Sequence, residues 1–153
     1  MAKKNEREER LIAELVFPYE AKNPNNAYAR SGNVGKGFKG MFMKKEYKDY
    51  KDNLVRLAHE YMLTNYGEEY VPYNGAIEVI SEWTFGTRRV KDLQNCGKLE
   101  YDALNGIVYK DDSQIHKEMK VKAYSKNNPS IRLMIYRLED SKWEDQNLDI
   151  QKN

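Results

Sequence analysis

The sequence predicts a single small α+β domain, with a mixed β-sheet of about four strands and two main helices. Three observations point there. The chain has 153 residues, and domains run to about 100–200 residues, so one unit is expected. Hydrophobic residues make up 40% of it, with 12 tyrosines and 2 tryptophans. That is enough apolar volume for a core and too much for a disordered chain. Alternating segments and helical periodicities follow one another in the order β, loop, α, β, α, β, β.

Each element has its own warrant. Leu11 to Tyr19 alternates loosely and breaks at Pro18, as a strand does. Asn23-Pro24-Asn25-Asn26 is turn chemistry. Residues 31–41 form a Gly/Lys-rich loop, and no Gly-Lys-Ser/Thr closes it, so it is not a phosphate-binding P-loop. From Lys44 to Asn65, Tyr47, Tyr50, Leu54, Leu57, Ala58, Tyr61 and Met62 recur at helical spacing. Gly75 to Phe85 reads as a strand with Ile77, Val79, Trp83 and Phe85 on one face. Asp92 is a good N-cap for a helix over Leu93 to Asn105, closed by Gly106. Ser113 to Tyr124 alternates, with Ile115, Met119, Val121 and Ala123 in phase. Ile131 to Leu138 is apolar on both faces, which suits a central strand. The domain is expected over 11–138, between a flexible N-terminus at 1–10 and a frayed acidic tail at 139–153.

Several classes are excluded at the outset. No apolar run approaches the ~18 residues of a spanning helix. The N-terminus lacks the apolar stretch of a secretory signal. One cysteine, Cys96, rules out an internal disulfide framework and a cysteine-based zinc site. A reducing cytoplasm is the expected location.

Net charge is only +2, from 26 Lys+Arg against 24 Asp+Glu. Its distribution says more. Arg30, Lys36, Lys39, Lys44, Lys45, Lys48 and Lys51 form one basic run, Arg88, Arg89 and Lys91 a second, and Lys110, Lys117, Lys120 and Lys122 a third. Such clusters beside aromatics and glycines suit a phosphate backbone, though a charge run is as often a solvated face.

On a helical wheel, residues 93–107 place Leu93, Cys96, Gly97, Ala103, Leu104 and Ile107 on one side. Gln94, Asn95, Lys98, Asp102 and Asn105 fall on the other. An ordinary surface helix also has a polar face. Short amides and an Asp are nonetheless poor helix formers, so their concentration here asks for a reason. Glu100 falls amid the apolar side, and an unpaired buried carboxylate costs several kcal/mol. It is expected to be paired or to face an interface. Asp111-Asp112 is either an Asx-type turn or a pair of oxygen donors for a hard cation.

The stretch from Asp92 through Asp102-Ala103-Leu104-Asn105-Gly106 to Asp111-Asp112-Ser113-Gln114-Ile115 resembles the signature of the RusA-like Holliday-junction resolvases. That pattern is approximately Asp-x-Asp-Asn-x-x-Lys-x-x-x-Asp-x-Leu-Asn-Gly, then Asp-Asp-x-Gln. The detailed likeness spans 92–115, and the order of elements extends it over roughly 11–138.

The resemblance implies a homodimeric, RusA-like fold and a crossover junction endodeoxyribonuclease of recombination and repair, bacterial or encoded by phage. The enzyme would cut four-way DNA junctions with Mg²⁺, or Mn²⁺, and use no small-molecule cofactor and no membrane. It implies Asp92 and Asp112 as metal ligands and Lys98 at the scissile phosphate. Asn95 and Asp102 take supporting roles. Lys91, with Arg88 and Arg89, matches the bases before the motif. Lys36, Lys39, Lys44, Lys45 and Lys110 would join them on DNA.

One departure stands out. Gln94 occupies the position of the second family aspartate. An amide oxygen still ligates a hard cation, but without charge. Asp111, next to Asp112, is the better-placed compensating ligand; Glu100 is on the wrong side of the wheel. The alternative is a junction-binding protein of the same fold that cuts poorly. A third reading is an RNA-binding domain in which Tyr19, Tyr28, Tyr101 and Tyr109 stack bases.

Overall fold

The computed structural model describes residues 2–30, 41–89 and 91–138. Four strands make the main sheet: β1 (Leu11–Phe17), β4 (Ile77–Phe85), β5 (Ile115–Tyr124) and β6 (Ser130–Arg137), in the order β1-β6-β4-β5. β6 is antiparallel to both of its neighbours, and β5 runs parallel to β4, so the sheet is mixed. The apolar character of β6 on both faces thus matches a central strand. The long helix α2 (Lys45–Tyr66) and the short helix α3 (Lys98–Ala103) follow the expected order. Before β1 lies a helix, α1 (Ala2–Glu9), where the sequence suggested a flexible N-terminus; Arg7 from it stacks on the Tyr136 ring at 5.8 Å. Two strands of three residues, β2 (Tyr28–Arg30) and β3 (Met41–Met43), pair antiparallel. The Gly/Lys segment between them, with Lys36 and Lys39, lies outside the described residues, as does the acidic tail.

Cross-strand rows explain the core. Ala13, Ile135 and Val79 lie side by side, as do Leu15, Leu133 and Ser81, then Phe17, Ile131 and Trp83. All nine are buried. Against them α2 presents Tyr50, Leu54, Ala58 and Met62, four residues apart and therefore on one helical stripe. Each fully buried aliphatic or aromatic side chain contributes about 1.5–3 kcal/mol. Among the described residues no helix is long and apolar enough to cross a membrane.

On β5 the same rows end in Glu118, Lys120 and Lys122. A register shift at Ile77/Glu78 leaves His116 as the extra residue, so Ile115 pairs with Ile77 and faces the core while Met119 and Val121 face the opposite side. The expected common phase of Ile115 with Met119 and Val121 is thus broken by a bulge, and the latter two are exposed. On that opposite face Arg132 pairs with Glu14 and Glu82, and Lys117 with Glu78.

A parallel strand pair needs a crossover of a dozen or more residues. The chain between Phe85 and Ile115 is that crossover, and it contains the whole 92–112 motif.

Candidate nuclease site

Asp92 opens the crossover turn. Its Oδ1 accepts the Gln94 N–H at 2.9 Å and caps a single 3₁₀ turn over Leu93–Asn95. The expected continuous helix over 93–105 is not formed. The backbone breaks at Gly97, whose φ of +107° is left-handed, and α3 starts one residue later. Glycine is needed there on two counts. L-residues avoid that φ, and a Cβ would lie 2.7 Å from Tyr101 Cε2. The wheel still sorted inside from outside: Cys96, Ala103 and Leu104 are buried, whereas Asp92, Gln94, Lys98 and Asp102 are exposed. Two helical pieces share the burial pattern that one helix would have had.

Glu100 is buried, as the wheel required, but its partners are neutral donors. Oε1 accepts the Gly97 N–H and Oε2 accepts the Tyr50 hydroxyl, each at 3.1 Å. Burial raises its pKa above the ordinary carboxylate range, against hydrogen bonds that lower it. Cys96 is buried beside it, and burial, with Glu100 next, pushes its thiol up to about 11. Below them lies a polar cluster. Trp83 Nε1 donates to Ser81 Oγ at 2.8 Å, the Tyr101 hydroxyl meets Ser81 Oγ at 3.1 Å, and the Tyr109 hydroxyl donates to Tyr101 O at 2.7 Å. Tyr101 and Tyr109 are therefore core residues, which removes them as stacking platforms for RNA bases.

From beneath, β5 holds the turn. Lys120 Nζ donates to Leu93 O at 3.3 Å, and Lys122 Nζ donates to Lys91 O at 3.2 Å. Glu118 Oε1 lies 3.5 Å from Lys120 Nζ. Lys120 and Lys122 stood in the third basic run, but their place under the turn, beside Glu118, was not expected. Their alternation in Glu118-x-Lys120-x-Lys122 was the available signal, but the bulge at His116 hides which face they take.

Beside the turn, Arg88 stacks on the Tyr124 ring at 4.8 Å. Arg88, Arg89, Lys122 and Tyr124 line a cleft of about 310 Å³. A narrower cleft is lined by Lys22, Asn23, Lys91, Asp92 and Asn95. The larger hollow of about 510 Å³, walled by Tyr66, Tyr70 and Tyr73, contains no motif residue. Lys44 is the N-cap of α2, and Lys45 is exposed on its first turn.

Asp102 is held by Lys51 at 2.8 Å, and Asn105 Nδ2 approaches its other oxygen at 3.4 Å. Asn105 Oδ1 is buried with no hydrogen-bond partner among the described residues. Asp111, expected as a possible compensating ligand, caps the next 3₁₀ turn. Its Oδ2 accepts the Ser113 N–H at 3.0 Å, and hydrogen bonding by the Ser113 side chain, then by that N–H, holds its carboxyl below the ordinary range. Gln114 returns a bond to the Asp111 N–H at 2.8 Å and donates to the carbonyls of Tyr73 and Gly75. The Asp-Asp-x-Gln element is thus a capping box that clamps the 73–75 segment. Asp112 is half-buried; burial, and after it the Asp112 charge, raises the pKa of the nearby Tyr109. Lys110 is exposed next to this corner.

Among the described residues no three His, Cys, Asp or Glu side chains gather as a site that could hold a metal ion. Asp92, Asp111 and Asp112 therefore do not form a ready three-carboxylate cage. Mg²⁺ commonly takes only one or two carboxylates together with substrate phosphate and water. Asp92 and Asp112, with the Gln94 carbonyl oxygen, have the donor chemistry for that lighter ligation.

The fold is thus α+β, with a mixed sheet whose crossover carries an acidic, amide-rich turn flanked by arginine and lysine. The sequence profile of Endodeoxyribonuclease RusA matches residues 18–136. The chain belongs to that family, an endodeoxyribonuclease family of Holliday-junction resolvases that bind branched DNA. No curated protein matches the sequence significantly.

Proposed function

We propose that this protein is a structure-selective endonuclease that resolves four-way DNA junctions by cation-dependent phosphodiester hydrolysis, in recombination and repair, as a homodimer. One observation supports it above the others. The turn headed by Asp92 is tied to Lys120 and Lys122, and Lys122 also lines the Arg88–Arg89 cleft, so the acidic turn and a phosphate-attracting surface are contiguous.

Asp92 and Asp112, assisted by Gln94, would hold Mg²⁺ or Mn²⁺. The bound cation would polarise the phosphate and lower the pKa of the attacking water. Lys98, exposed at the first position of α3, would stabilise charge developing on the phosphoryl oxygens. Asn95 supports the turn from its narrow cleft, and Asp102 fixes α3 to Lys51 of α2. Arg88, Arg89, Lys91, Lys44, Lys45 and Lys110, with Lys36 and Lys39 from the loop, would follow the backbone. Such contacts give strong salt dependence and little base reading. Two copies related by a two-fold axis would meet the two symmetric strands of a junction.

Gln94 favours a second reading, a junction-binding protein with little turnover, because the amide brings no charge to the cation. Cleavage of a mobile four-way junction by this chain and by Gln94→Asp, in Mg²⁺ and in Mn²⁺, separates the two. Paired symmetric nicks by the parent chain uphold the enzyme. Binding without nicks, with cutting restored by Gln94→Asp, upholds the second reading. No preference for junction over duplex in either protein refutes both.

A further inference from the structure

Glu100 is the most deeply buried acid among the described residues, 1% exposed, and the function proposed above makes no use of it. Burying a carboxylate is unfavourable, and neither of its hydrogen-bond partners carries a charge. An apolar side chain would fill the space more cheaply. What it would not do is satisfy the Gly97 N–H and the Tyr50 hydroxyl, each 3.1 Å from a Glu100 oxygen.

The position of those partners is informative. Gly97 is the hinge at which the Asp92–Asn95 turn passes into α3, in a left-handed conformation. Tyr50 belongs to α2, whose first turns carry Lys45, Lys48 and Lys51. Glu100 therefore joins three pieces: the motif turn, α3 and the basic end of α2. Lys51–Asp102 repeats the α2–α3 link at the surface. Lys120 and Lys122 hold the same turn from the sheet side through the carbonyls of Leu93 and Lys91. The inner side of the turn is thus tied at several points, and its outer side presents Asp92, Gln94 and Lys98 to solvent.

We propose that Glu100, braced by Tyr50, is a positioning residue of the nuclease site: by accepting the Gly97 amide it sets the direction in which the Asp92–Gln94 turn and Lys98 face DNA. This rests on the function proposed above. A displacement of about 1 Å at a reacting group lowers rates by about 100-fold, so the orientation of this turn is a sensitive variable. Glutamine at position 100 keeps an oxygen for the Gly97 N–H, whereas alanine removes both contacts.

The test uses the full chain with Glu100→Gln, Glu100→Ala and Tyr50→Phe. Three quantities are read: the single-turnover rate on a mobile four-way junction with Mg²⁺ or Mn²⁺, the junction Kd in Ca²⁺, and hydrogen exchange of the Gly97 amide. Glu100→Ala is expected to cut about 100-fold more slowly, with Kd moved by less than about threefold. Glu100→Gln stays within about threefold of the parent rate, and Tyr50→Phe falls between the two. Gly97 exchange accelerates in Glu100→Ala and not in Glu100→Gln.

A folded Glu100→Ala that cuts at the parent rate overturns the proposal, as does Glu100→Gln falling as low as Glu100→Ala. Should Glu100→Ala fail to fold, Tyr50→Phe at the parent rate overturns it and an intermediate rate upholds it. A parent chain that neither binds nor cuts junctions refutes the function, and the Gly97 exchange comparison then upholds or overturns the brace itself.

Discussion

Replacing Gly97 with alanine tests the break in the motif helix directly. Two costs add. A non-glycine residue in the left-handed region costs about 1–2 kcal/mol. The new Cβ would also lie 2.7 Å from Tyr101 Cε2 and 3.0 Å from Cζ. The ring has little freedom to retreat, because its hydroxyl meets Ser81 and its carbonyl accepts from Tyr109. Forcing extra volume into such packing costs about 1–3 kcal/mol. The sum is about 2–5 kcal/mol, which lowers Tm by roughly 10 °C for a chain of this length.

Gly106→Ala is the matched control. Gly106 also has a positive φ, +77°, but a Cβ there meets nothing within 4 Å. It should cost only the conformational part, about 1–2 kcal/mol. Urea unfolding followed by tryptophan fluorescence and by circular dichroism measures both variants. If the two melt together, Tyr101 yields freely and the crowding argument is wrong. If Gly97→Ala matches the parent, the left-handed hinge itself is refuted.

Three more outcomes are expected. Ser81→Ala strips the acceptor from Trp83 Nε1 and leaves the Tyr101 hydroxyl with Glu118, so it should destabilise by about 1–3 kcal/mol in urea; a loss under about 0.5 kcal/mol would contradict the network. Cys96, buried and with its thiol near 11, should resist iodoacetamide at pH 8 until the chain unfolds, and native labelling at the rate of a free thiol would disprove this. Glu100 has a folded-state pKa above its unfolded value, so the folded chain binds more protons than the unfolded one between those two values. Stability should therefore decline as pH rises from the unfolded pKa to the folded one, and level off beyond. Glu100→Gln should lack that decline, and parallel urea-stability curves for parent and variant across the acid-to-neutral range would rule it out.

The sequence made the main architecture legible because the signals were long. α2 declared itself through Tyr50, Leu54, Ala58 and Met62, and β6 through apolar residues on both faces. What was not legible depended on one residue or on tertiary contact. A lone glycine within a helical pattern is usually tolerated, and it takes the left-handed φ of Gly97 and the back-bond from Glu100 to show that it ends one turn and begins another. The extra residue at His116 shifts every later side chain of β5 to the other face, and local alternation carries no mark of it. β2 and β3 have three residues each, too few for a period to appear. At the proposed site, Asp92, Lys98 and Asp112 come from the family resemblance of the motif. The part played by Asp111 and Gln114 as a backbone clamp, and by Lys120 and Lys122 as supports under the turn, required the fold.

β5 stands at the end of the sheet order, with β4 on one side. Among the described residues no strand pairs with its far side, which is a row of backbone donors and acceptors of the kind that recruits other chains into fibrils. Met119 and Val121 lie exposed along it, with Lys120 between them and Lys117 and Lys122 to either side. Those charges act as gatekeepers against self-assembly through this border. A lysine-to-alanine series on β5, made to map contacts with nucleic acid, would at the same time bare a sticky strand. Loss of binding in that series has to be read beside a sedimentation or light-scattering record of the same samples. Substitution by glutamate keeps the border charged while reversing its attraction for phosphate, and so separates the two effects.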